Sequence, residues 1–295
     1  MPGLKLVLPT LFSDSSLPIL RDDPILPMSG ALFLGDVSMI EGSGIPGSLY
    51  NIAGDSANSL TGGNAATMPL AYAGAPSSAQ ILMERSTKGG IHGILSHASA
   101  VGAGQGFAGR LPAAVLDYIF TEANRTHAYY YSLWSTPTRY GSQTAGPLGV
   151  GQSETTGGFH VYQYGSGAYP STADRYGVPS INYASVAANL GKPHVTGLGP
   201  VSMYRNAGAG VVTDPGPLRE NVDGGLNWGR VVPPASAGFN PLSWVFYRLY
   251  IEDLTVSGRT FAQVKEKDLA LYNAAFGVGG RFEGDTFSAP ATALP

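Results

Sequence analysis

Hydrophobic and polar positions alternate most regularly near the C-terminus. Val245, Tyr247, Leu249 and Ile251 alternate there with Phe246, Arg248, Tyr250 and Glu252. β-Branched and aromatic residues at period two favour a pleated strand. One set is apolar to amphipathic and the other mixes rings with charge, so the pattern predicts a strand covered on one side and partly wet on the other. Ser257-Gly258 interrupts it. Thr260 is then followed three residues later by Gln263, the spacing of a capping box. Phe261, Val264, Leu271, Tyr272, Ala275 and Phe276 fall mostly on one helical face, which predicts a helix over 260–276. Gly277 stands where a left-handed cap would end it.

The same reading runs along the rest of the chain. Pro2, Pro9, Pro18, Pro24 and Pro27 leave no room for a helix in the opening segment, so residues 1–28 read as an extended arm with one short edge strand at Leu4, Leu6 and Leu8. Residues 29–36 look like the first strand of the body. Residues 40–68, rich in Gly, Ser, Asn and Ala, read as a long loop. Residues 79–97 read as two strands about a Lys88-Gly89-Gly90 turn. Leu111 to Glu122 fits a short helix or a buried strand, and propensity does not decide. Further strands are expected at 124–136 and 157–164, with weaker ones near 178–187 and 199–205 in a loop-rich region. No compositional break or internal repeat divides the chain. The expected organisation is an arm (1–28), a body (29–277) and an extended tail (278–295). Short strands, heavy Gly and Pro punctuation and one convincing helix predict an all-β fold, an antiparallel sandwich or jelly roll.

Composition narrows the function classes. Gly (41) and Pro (22) exceed a fifth of the 295 residues, but 11 Phe, 16 Tyr and 3 Trp accompany them, so turns rather than disorder are expected. Charged residues are only 13%, about half the usual share, which fits a protein packed in an assembly. The net charge is −3 without a basic block, and this argues against nucleic-acid binding. The absence of cysteine removes disulfides, thiolate metal sites and cysteine nucleophiles. The N-terminal apolar run carries prolines and no cleavage pattern, so no signal peptide is expected. No stretch stays apolar for the roughly 18 residues of a membrane helix, so no membrane insertion is expected.

Candidate chemistry is sparse. Gly104 to Gly109 matches G-x-G-x-x-G by letter but lacks the βαβ rhythm of a dinucleotide site, and reads as a loop. Gly54-Asp55-Ser56 resembles an esterase nucleophile block without the strand before it, and reads as a turn. His92, His97, His127, His160 and His194 show no zinc spacing and no neighbouring carboxylate cluster, so no metal or cofactor is expected. Glu252 and Asp253 project to opposite faces of a strand end, so they do not form a glycosidase dyad. Asp253, with Thr260 and Gln263, is read as structural. The aromatic residues are the strongest hint of binding. Tyr130, Trp134, Tyr162, Tyr164 and Trp228 form the candidate platform, since flat rings with a polar tip suit sugar faces and protein interfaces alike. Alternate members of the set are also expected to fill the core.

The residues Tyr250-Ile251-Glu252-Asp253-Leu254-Thr255-Val256-Ser257-Gly258-Arg259-Thr260, then Gly279-Gly280-Arg281-Phe282 and Gly284-Asp285-Thr286-Phe287, resemble the end of concanavalin A-like (laminin-G-type) lectin domains of tailed-bacteriophage virion proteins. Leu8-Pro9-Thr10-Leu11-Phe12 and Arg21-Asp22-Asp23-Pro24 are similar to the start of such proteins. The resemblance implies a concanavalin A-like jelly roll in a virion, a non-enzymatic structural component of a tail tip or baseplate. Its partners would be other tail proteins, further copies of itself (a trimer, from the setting) and a host surface glycan. A carbohydrate-binding receptor-recognition protein is the alternative, and a glycoside hydrolase acting on host polysaccharide the second alternative.

Overall fold

The structure, a computed structural model, describes residues 23–151 except 103, 122, 125–126, 140 and 142–144, then Gly191, the strand segments between 159 and 229 named next, and residues 242–295. In chain order the strands are β1 (Ala31–Asp36), β2 (Ser48–Tyr50), β3 (Thr67–Ala73), β4 (Ile81–Arg85), β5 (Ile91–Leu95), β6 (Gly106–Arg110), β7 (Tyr129–Arg139), β8 (Ala145–Gly151), β9 (Phe159–Tyr164), β10 (Ala173–Tyr176), β11 (His194–Val201), β12 (Arg205–Asn206), β13 (Gly210–Val211), β14 (Asp223–Gly229) and β15 (Ser243–Asp253). The helices are α1 (Gly54–Thr61), α2 (Ala113–Phe120), α3 (Leu254–Ser257), α4 (Phe261–Phe276) and α5 (Pro290–Ala293).

Two antiparallel sheets make an all-β sandwich. One runs β10-β11-β7-β15-β5-β4, with β1 also paired to β15, and the other runs β2-β3-β6-β14-β8-β9. β12 and β13 form a separate pair. β15 is the hub. It pairs along its length with β7, and on its other edge with β5 at Trp244–Phe246 and with β1 at Arg248–Glu252. The sheets meet at two indoles, Trp228 of β14 and Trp244 of β15, stacked at 4.4 Å and 8°. Each donates its Nε1–H across the interface, Trp228 to the Trp244 carbonyl and Trp244 to the Asn227 carbonyl, both at 3.1 Å. Gly93 makes room for this stack, since a Cβ there would lie 2.2 Å from Trp228 Cδ1.

The hub strand differs from expectation in one respect. All eleven residues of β15 are buried, not one face only, because α4 lies over the face turned away from the second sheet. Val264, Asp268, Tyr272 and Ala275 form the buried stripe of α4. The capping box is formed: Thr260 Oγ1 accepts the Gln263 N–H and Gln263 Oε1 accepts the Thr260 N–H. Gly277 is not left-handed but extended, at φ −75° and ψ 179°. The left-handed cap instead belongs to α3, at Gly258.

Residues 40–68 hold β2, α1 and the start of β3 rather than one loop. Buried Asn51 organises them. Its Oδ1 accepts the Leu34 and Ala53 N–H groups, and its Nδ2 donates to the Leu32 and Ala65 carbonyls. Gly54-Asp55-Ser56 therefore opens a helix rather than a turn. The glycine run 104–109 is likewise mostly strand β6, not loop. Gly109 sits so close to β14 that a Cβ on Gly225 would meet its carbonyl oxygen at 1.8 Å. Leu111 to Glu122 resolves to helix α2. The hairpin about Lys88-Gly89-Gly90 and the strands expected at 29–36, 124–136 and 157–164 are present. The weak strand near 199–205 overlaps the end of β11, while 178–187 lies outside the described residues.

Residues 1–22 of the arm also lie outside the described residues. Its last part is an anchored strap, with Ile25 fully buried. The tail after 277 is not extended. It runs through turns and ends in α5. It is hydrogen-bonded to the β4–β5 hairpin through Thr286 to Thr87, Asp285 to the Lys88 N–H and Ser288 to Glu84.

Candidate functional site at the end of the long helix

A β-bulge creates the most distinctive polar site. Opposite β7, Phe246 pairs with Ser135 and Arg248 with Trp134, so Tyr247 is an extra residue. Before the bulge, Phe246 packs toward Trp228 of the second sheet. Beyond it Tyr247 packs on Phe276 and Phe282, and Arg248 lies on the same helix-covered side over Trp134, its guanidinium carbon 4.8 Å from the ring centroid. A charge thereby enters a buried layer.

The surroundings satisfy most of it. Arg248 donates through Nη1 and Nη2 to the two oxygens of Asp23 at 2.7 and 2.8 Å, and through Nη1 to Asp36 at 3.0 Å. Arg281 donates to the same Asp36 oxygen at 2.5 Å and to Ser38 Oγ at 2.7 Å. Burial opposes the charge on Arg248, but the Asp23 and Asp36 carboxylates more than reverse this and hold its pKa above the ordinary arginine range. Burial likewise pushes the Asp23 carboxyl up, and the Arg248 pairing overcomes it, leaving Asp23 below its ordinary value. At the edge of the Trp134 ring, Asp268 of α4 accepts the Trp134 Nε1–H at 3.0 Å and the Tyr130 hydroxyl at 2.8 Å.

A cleft of about 350 Å³ opens onto this network. Leu271, Ala274 and Ala275 from the last turns of α4 line one side, and Gly279, Gly280 and Arg281 form a rim. Asp23, Trp134 and Arg248 complete the lining. Gly280 is required where it is, since a Cβ there would lie 2.4 Å from the carbonyl oxygens of both Ala274 and Ala275.

Three other polar groups are spent within the fold. Glu252 accepts from the Tyr250 hydroxyl at 2.6 Å and from Arg259. Asp253, fully buried on the opposite face, accepts the Thr255 and Val256 N–H groups, the Tyr118 hydroxyl at 2.9 Å and His127 Nδ1 at 2.7 Å. Glu84 joins His92 at 2.8 Å and Ser288 Oγ at 2.7 Å, and His92 reaches Thr138 Oγ1 with its other nitrogen. Burial lowers the pKa of His92 despite Glu84. Two histidines thus do meet carboxylates, contrary to the reading of the spacing. Among the described residues no group of three or more His, Asp or Glu side chains could hold a metal ion.

The described members of the aromatic platform lie in the core. Tyr130, Trp134 and Trp228 are core residues at 0, 1 and 0% exposure. Tyr130 packs between Tyr250 and Phe261, Trp134 against Tyr272 and Phe276, and Trp228 on Trp244. Tyr162 and Tyr164 lie on β9, and their side chains fall outside the described residues. Asp253 caps α3, and Thr260 and Gln263 form the capping box of α4. Sequence reading missed Asp23, Asp36, Arg248, Asp268 and Arg281. Two signals were available: an arginine amid the apolar and aromatic residues 244–251 of β15, and an aspartate four residues from both Val264 and Tyr272 on the buried helix stripe.

No protein-family model and no curated protein matches the chain. Among solved structures the chain is similar to a Trypanosoma rangeli sialidase in complex with sialic acid, at 11% identity and a TM-score of 0.33, over 76% of this chain and 31% of that one. The chain thus spans under a third of the sialidase, at a likeness too low to carry an argument about activity.

Proposed function

We propose that the chain is a non-enzymatic structural component of a bacteriophage tail tip or baseplate that touches the host surface as part of a homo-oligomer in the virion. The phage setting rests on the sequence resemblance carried by residues 8–24 and 250–287. One structural observation supports the non-catalytic part: the carboxylates clustered on and around β15 are committed to internal partners. Asp23 and Asp36 hold Arg248, Glu252 holds Arg259, and Asp253 caps α3. A glycosidase needs one carboxyl free to protonate and another free to attack or to activate water. The buried indoles also remove support for recognition through Trp134 and Trp228.

The reading is tested by immunogold labelling of particles made from the genome that encodes the chain. Label at one end of the tail is the expected result. Absence of the chain from purified particles refutes the reading, as does release of new reducing ends when the chain meets host polysaccharide.

A further inference from the structure

The segment between Phe282 and α5 is a strap over the β4–β5 hairpin, pinned at both ends. Phe282 is buried in the core, and buried Pro290 opens α5, which packs on β5 and β7. Between these anchors two carboxylates tie the segment down. Glu84 of β4 accepts the Ser288 N–H at 2.9 Å and the Ser288 hydroxyl at 2.7 Å. Asp285 of the strap accepts the Lys88 N–H at 2.7 Å, the Thr87 hydroxyl at 3.1 Å and the Tyr247 hydroxyl at 2.8 Å. A backbone bond from the Thr87 N–H to the Thr286 carbonyl, at 2.9 Å, lies between them.

His92 of β5 sits beneath the strap. It is 0% exposed, and the Phe287 ring closes over it at 5.1 Å between centroids. Its Nδ1 meets Glu84 Oε1, the oxygen that also accepts the Ser288 N–H, and its Nε2 meets Thr138 Oγ1 of β7, both at 2.8 Å. With Glu84 ionised, Nδ1 carries the proton and Nε2 accepts from Thr138, so a neutral ring satisfies every partner. The charges acting on the ring are those of Glu84 and Asp285. Tyr247 of β15 gives its hydroxyl to Asp285, Lys88 at the hairpin turn is exposed, and α5 carries no charged residue. Burial disfavours the protonated ring and outweighs the pull of the two carboxylates, so His92 lies below the ordinary histidine value.

Lifting the strap returns the ring to water and to an ordinary proton affinity. A proton that binds the open form better than the closed one favours opening. We propose that residues 283–289 are an acid-opened latch: protonation of His92 lifts them from the hairpin while the sandwich stays folded. The closed form has the lower histidine pKa, so its advantage is complete above the ordinary value of 6.5 and shrinks as pH falls below it. The inference does not depend on the virion reading.

Amide hydrogen exchange on the full chain, corrected for the intrinsic pH dependence of exchange, tests it. Exchange of the Thr286 and Ser288 amides should rise on the order of fivefold between about pH 7 and about pH 5.5, since one linked proton allows at most roughly tenfold per pH unit. The amides of β15 should keep their protection. His92→Gln retains a donor for Glu84 but does not titrate in this range, and should abolish the rise. Unchanged strap exchange, an equal rise in H92Q, or loss of β15 protection together with the strap overturns the proposal. The ring C–H signals of His92 in the unaltered chain give a check that needs no variant. They should titrate with the midpoint of the strap opening, and a ring that titrates while the strap stays protected overturns the proposal as well.

Discussion

Replacing Arg248 with Met tests the account of the buried layer most directly. The substitution keeps most of the aliphatic volume over Trp134 and removes the guanidinium. Three hydrogen bonds to two carboxylates disappear. Removing one partner of a buried pair costs about 3–5 kcal/mol, because a charge is left uncompensated. Two features place this case near the lower bound. Asp36 keeps Arg281 at 2.5 Å and the Ser38 N–H at 2.9 Å. The Asp23 side chain is 17% exposed and can take up water. A loss of about 3 kcal/mol corresponds to a melting temperature lower by roughly 6–12 °C for a chain of this size. Urea and thermal melts followed by circular dichroism measure it. The pH dependence supplies a second check. Asp23 has a folded pKa below its unfolded value near 3.8, so its contribution is complete above that value and is lost as pH falls through the folded pKa. The gap between wild type and R248M should therefore narrow below about pH 4. A variant within about 1 kcal/mol of wild type at neutral pH, or a gap that stays constant into acid, refutes the reasoning.

Other predictions follow from particular contacts. Trp228→Ala removes a stacked indole and its hydrogen bond from between the sheets and should cost about 3–5 kcal/mol in urea melts. Thr260→Ala should cost about 1 kcal/mol, because one end of the capping box is lost; chemical denaturation measures it, and no loss means α4 is held by packing alone. Gly225→Ala should give aggregated or dye-binding protein, since φ is +139° and the new Cβ would sit 1.8 Å from the Gly109 oxygen. Gly42→Ala is the control, with φ +77° but open space around it, and should cost only the roughly 1–2 kcal/mol of the left-handed backbone.

The well-read elements are those whose cause is local. β15 follows from alternation, α4 from the Thr260–Gln263 spacing, and the β4–β5 hairpin from its glycine turn. The misread ones depend on distant partners. Residues 40–68 carry little periodicity because Asn51 ties them to groups on β1 and to Ala65. β6 and β14 are glycine-rich for close approach to each other, and strand propensity misses them for that reason.

By itself, then, the sequence determined the class of fold, the hub strand and the capped helix after it, because period and capping chemistry act within a few residues. Only the tertiary structure decided what that hub does with its charges. Alternation tells which side chains share a face, but not whether that face is covered. Once α4 lies across it, Tyr130 and Trp134 become core residues, and Asp23, 225 positions away in sequence, becomes the partner that lets Arg248 stay buried. Desolvation makes that pairing obligatory, and no local signal encodes a partner so remote.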